Sequence, residues 1–77
     1  MSEDAGSILA ALGAAVRQRR LSAGLTQAEL AQRAGIGRPH LVRIEGGQKN
    51  PTAVVLVHIA RALGVAPGDL FVAPTSR

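Results

Sequence analysis

Apolar residues recur along this chain every three or four positions, and each such stretch is cut by glycine: Gly24, Gly35, the Gly46-Gly47 pair and Gly64. That rhythm is the spacing of one buried face on a helix, with a glycine free to take the left-handed conformation at each end. The first helix is predicted from near Ser7 to Gly24, laying Ile8, Leu9, Leu12 and Val16 on the core. Thr26 and Glu29 make a capping box, so a second, two-turn helix should begin at Gln27, bury Leu30, Ala31 and Ala34, and stop at Gly35. A third carries Leu41 and Ile44 inward, with Pro39 tolerated in its first turn because early amide groups lack intrahelical partners. Thr52 caps a fourth, whose inward positions are Leu56, Ile59, Ala60 and Leu63, and Ala66 to Phe71 should make a short fifth with Pro67 at its first position. Residues 1–6 and 74–77 are expected to be flexible ends around one domain at 7–73.

At 100° per residue, Pro39, Val42, Arg43 and Gly46 of the third helix point away from Leu41 and Ile44, with Arg38 at the edge of that outward face. A short exposed helix bearing two guanidinium groups has the shape and charge to enter a DNA major groove. The charge balance agrees. The formal net charge is +4, and rises to +6 from residue 5 onward once the acidic Glu3 and Asp4 are passed. Such a balance suits a polyanion. With one Phe and no Tyr or Trp, the chain lacks the aromatic platforms that stack single strands, so duplex DNA is the expected partner.

The run GLTQAELAQRAGIGR at 24–38, with RIE at 43–45, ALGV at 62–65 and DLF at 69–71, resembles the phage-repressor (Xre/Cro-like) helix-turn-helix domain over about Leu12 to Phe71. The resemblance implies an all-α, compact five-helix lambda-repressor-like domain that binds operator DNA. It implies base contacts from Arg38, Pro39, Val42 and Arg43, where each arginine suits the two acceptors of guanine, while Pro39 and Val42, without donors, would either pack on a thymine methyl or define the edge of the footprint. It implies a phosphate contact from Gln27, and an ion pair between Arg20 and Glu45 that ties the first helix to the third. Gly37 stands where relatives offer Ser or Thr as a helix cap, so it brings no hydroxyl to its place among the phosphate contacts. Lys49 and Asn50, in the loop after the third helix, complete that set. Ala66 likewise replaces a serine, leaving the fifth helix without a side-chain cap.

One short helix reads only a few base pairs, so a homodimer on a palindromic operator is expected, with Val54, Leu70, Phe71 and Val72 as its candidate interface. The expected function is sequence-specific transcriptional regulation of the repressor or restriction-modification controller type, in the cytoplasm on the nucleoid. The alternatives are a module of the same fold docking a partner regulator or RNA polymerase, and a DNA-binding antitoxin, which ranks lower because no extra segment to wrap a toxin is expected. No Cys accompanies His40 and His58, so no metal is expected, and no cofactor. No nucleophile has an identifiable base, which speaks against an enzyme. Gly35-Ile36-Gly37 lacks both the preceding strand and the third glycine of a nucleotide loop. The longest apolar run, Ala53 to Val57, falls far below the roughly 18 residues of a membrane span, so no membrane partner is expected.

Overall fold

Four α-helices and a closing 3-10 helix carry the chain in the computed structural model, which describes residues 4–71: α1 (Ala5–Ser22), α2 (Gln27–Ala34), α3 (Arg38–Glu45), α4 (Ala53–Leu63) and the 3-10 helix Pro67–Phe71. No strand occurs among the described residues. The expected fifth α-helix is therefore corrected to a tighter turn. Five residues holding a proline and a glycine are too few to build an α-helical ladder, and the Asp69 amide bonds the Ala66 carbonyl at 2.9 Å in the i to i+3 pattern. The missing serine cap is replaced from the other direction, because the Asp69 carboxylate accepts from the Ala66 amide at 3.1 Å.

α1 starts two residues earlier than the periodicity indicated. Asp4 is its cap, accepting from the Ser7 amide at 2.7 Å, so Ala5 and Gly6 are helical and not part of a flexible end. The buried stripe also differs: it runs through Leu9, Leu12, Val16 and Arg20, spaced i, i+3, i+7 and i+11, and leaves Ile8 exposed. α2 realises the capping box in full, with Glu29 N–H donating to the Thr26 hydroxyl and Thr26 N–H to the Glu29 carboxylate. Those amide donors, Ser7 for Asp4 and Thr26 for Glu29, hold both carboxyls below their ordinary values. A lowered native pKa means the caps act fully above about pH 4 and are lost as acid protonates them.

The largest fully buried side chains are Val16, Leu30, Leu41, Ile44, Ile59 and Leu70, so every element sends at least one residue to a single core. Leu70 therefore leaves the candidate dimer interface, being 1% exposed beneath α1 and α4. Adjacent residues of a 3-10 helix lie about 120° apart, which turns Phe71 outward when Leu70 turns in. Val72 lies outside the described residues.

α1 crosses the C-terminal end of α3 so closely that backbone touches backbone. A Cβ on Gly13 would overlap the Ile44 carbonyl oxygen and sit 2.5 Å from that of Glu45. On the facing side, Gly47 presses on Ala10 of α1 with φ +74, where a side chain would be both strained and crowded. Because carbonyls cannot move aside as a flexible side chain can, Gly13→Ala should cost about 1–3 kcal/mol. Thermal unfolding followed by circular dichroism checks this; an unchanged midpoint would show that the two helices can part without loss.

Candidate nucleic-acid interface

Between α2 and α3 the chain turns in three residues. Gly35 adopts φ +71, the Ile36 amide reaches back to the Ala31 carbonyl at 3.0 Å, and Gly37 opens α3 with extended backbone. This is a glycine helix end followed at once by a helix start, and only a residue without a Cβ adopts that Gly35 conformation without strain. The turn sets α3 at an angle to α2 and turns one of its faces outward.

The two faces of α3 divide its residues cleanly. Leu41 and Ile44 are buried, and the Glu45 side chain is 3% exposed, while Arg38, Pro39 and Arg43 are exposed and Val42 is 41% exposed. All four residues expected at base edges thus share the outward side. Gly37 caps α3 without a side-chain bond, so the first amide groups of the helix carry no cap. Lys49 and Asn50 are exposed in the loop that follows α3.

Gln27 is the first residue of α2 and is half-buried. Its Nε2 donates to Glu45 Oε1 at 3.1 Å. The same carboxylate receives Arg20 Nε on Oε2 at 2.7 Å and Arg20 Nη2 on Oε1 at 3.0 Å, and Arg20 Nη1 donates to the Leu25 carbonyl at 3.0 Å. One carboxylate therefore ties the first three helices together. Sequence spacing could not have revealed the Gln27 bond, because its partners lie 18 residues apart on different helices.

The electrostatics follow from how the acids are spent. Each of the four acidic residues between 4 and 71 is bonded within the fold: Asp4 and Glu29 at helix starts, Glu45 to Arg20 and Gln27, Asp69 to Ala66. Of the eight Lys and Arg side chains described, Arg20 alone pairs with a carboxylate. Arg17, Arg19, Arg33, Arg38, Arg43, Lys49 and Arg61 stand exposed and outnumber the three carboxylates of Asp4, Glu29 and Asp69 that no cation pairs, so the described surface is net positive. A groove of about 450 Å³ between α2 and α4, lined by Arg33, Ala34, Gly35, His58, Arg61 and Ala62, is free of carboxylates.

A family model described as "Helix-turn-helix domain" matches residues 11–72. The chain belongs to that family. Among curated relatives, the helix-turn-helix domain is 39% identical over 64 residues to the uncharacterized HTH-type transcriptional regulator y4dJ of Sinorhizobium fredii, covering 83% of this chain and 82% of that one. It is 38% identical over 60 residues to the uncharacterized HTH-type transcriptional regulator Rv0474 of Mycobacterium tuberculosis, covering 78% of this chain and 43% of the relative, so it spans under half of that protein's length. Among solved structures, the restriction-modification controller protein C.AhdI of Aeromonas hydrophila superposes on the helix-turn-helix domain with a TM-score of 0.81 at 35% identity, over 82% of this chain and 96% of that chain. No helix among the described residues of the domain is long and apolar enough to cross a membrane.

Proposed function

We propose that the chain binds duplex DNA sequence-specifically, as a homodimer on a palindromic operator, and thereby regulates transcription in the cytoplasm. The observation that carries this reading is the division of α3, whose apolar side anchors it while its other side presents Arg38, Pro39, Val42 and Arg43 to solvent. In the major groove, Arg38 and Arg43 would each offer a bidentate fork to guanine, and Pro39 and Val42 an apolar surface to a thymine methyl. Gln27, the Gly37 backbone, Lys49 and Asn50 hold phosphates, which fixes register without reading sequence.

A two-fold dimer would place two such helices about 34 Å apart, one turn of the duplex. Val54 and Phe71, 63% and 61% exposed, support an apolar contact between copies. Phe71→Asp is expected to give a folded monomer with weakened operator binding, read by analytical ultracentrifugation alongside a thermal melt. A variant that remains dimeric would move the interface elsewhere.

The reading itself is tested by selecting duplexes from a random pool and titrating the best with salt. Log affinity should fall against log salt by about 0.9 for each phosphate contact. Binding that is absent, or indifferent to salt, would instead favour a module of this fold that docks a protein partner such as RNA polymerase.

A further inference from the structure

We propose that Glu45 is a positioning residue for the DNA backbone: by holding one N–H of the Gln27 carboxamide, it aims the other at a phosphate. The inference rests on the duplex-binding reading above and adds a residue that touches no DNA itself. Glu45 is usually the kind of group to be filed under stability, since its side chain is 3% exposed and it closes an ion pair with Arg20. Yet the pair uses the carboxylate in a way that leaves work for it. Arg20 grips both oxygens, at 2.7 and 3.0 Å, which fixes the carboxylate plane, and Oε1 still accepts a third bond, from Gln27 Nε2 at 3.1 Å.

Which way the Gln27 amide faces is settled by chemistry. A carboxylate offers only acceptors, so the amide must present its nitrogen there and not its oxygen. One N–H is thereby committed to Glu45, and the planar group turns its second N–H about 120° away. Gln27 sits at the first position of α2, between the exposed Thr26 and Ala28. Elsewhere on a helix surface, a glutamine side chain wanders among rotamers and must be ordered by its ligand. Here it is ordered beforehand, by a bond whose far end is itself clamped, which is the means by which preorganisation raises affinity.

A double-mutant cycle tests the proposal, using Arg20→Met/Glu45→Met so that neither charge is stranded when the carboxylate is removed. In the wild-type background, Gln27→Ala should weaken binding about tenfold on operator and random duplex alike. In the double variant the same substitution should cost less than about twofold, the scatter of independent sites. An equal loss in both backgrounds would overturn the proposal. A second measurement needs neither a variant nor DNA: in the free protein, side-chain amide relaxation should show Gln27 well ordered beside the exposed Gln18, Gln32 and Gln48. If Gln27 proves as mobile as those three, the anchor does not exist. Should the wild-type chain bind no duplex, the function proposed above fails, while the relaxation result still decides whether Glu45 holds the amide.

Discussion

Glu45→Ala will lower the unfolding midpoint by more than about ten degrees, the largest effect expected of any single polar substitution in this domain. Arg20 is 7% exposed, and two of its three protein hydrogen bonds end on Glu45. Removing the carboxylate leaves a guanidinium in a low-dielectric site with only the Leu25 carbonyl to satisfy it. A buried charge stranded this way costs about 3–5 kcal/mol. In a domain of this size each kcal/mol moves the midpoint by roughly 4–8 °C. Circular dichroism melts of Glu45→Ala and Arg20→Met/Glu45→Met separate the two contributions, because the double variant removes the pair without stranding either partner. A fall of under about two degrees in Glu45→Ala would mean that water reaches Arg20 and the pair is superficial.

Replacing Arg38 and Arg43 together by alanine should all but remove operator binding while leaving the fold intact. Each arginine that forks onto a base edge is worth about 1–3 kcal/mol of affinity and of preference at one base pair. Both side chains are exposed and have no protein partner among the described residues, so the melting midpoint should stay within the small range typical of surface changes, about 0.5 kcal/mol. Fluorescence anisotropy on the selected operator and on random duplex reads the outcome. Loss confined to the operator identifies base readers. Equal loss on both, with a salt slope shallower by about 0.9 per contact removed, would reduce the two arginines to phosphate clamps.

Local chemistry was legible in the sequence wherever it was decided within a few residues. The Thr26 and Glu29 capping box, the helix stop at Gly35, the inward Leu41 and Ile44 and the helix end at Gly64 all stand as spacing indicated, because each depends on neighbours within one or two turns. What escaped was set by distant parts of the chain. Ile8 has the right spacing for the stripe of α1 yet is exposed, since the buried line passes through Leu9. Leu70 looked like a surface partner of Phe71 until the tighter helix turned it under α1 and α4. Asp4 is the exception to that division: its bond from the Ser7 amide spans three residues, as short as the Thr26 box, yet the apolar spacing alone starts α1 near Ser7. Gly13 is unremarkable in sequence, and its role comes from a carbonyl 31 residues away. At the site, helical geometry sufficed to place Arg38, Pro39, Val42 and Arg43 on one side, whereas the Gln27 bond to Glu45 exists only in three dimensions.

The split of α3 into an anchored side and an unanchored one also governs how such a molecule changes over time. Pro39, Val42 and the two arginines beside them bear almost none of the weight of the fold, so they are free to be exchanged for other letters without retuning the scaffold beneath. Sister copies of this chain, differing at these four places and nowhere else, would stay equally robust while parting company in the addresses they recognise.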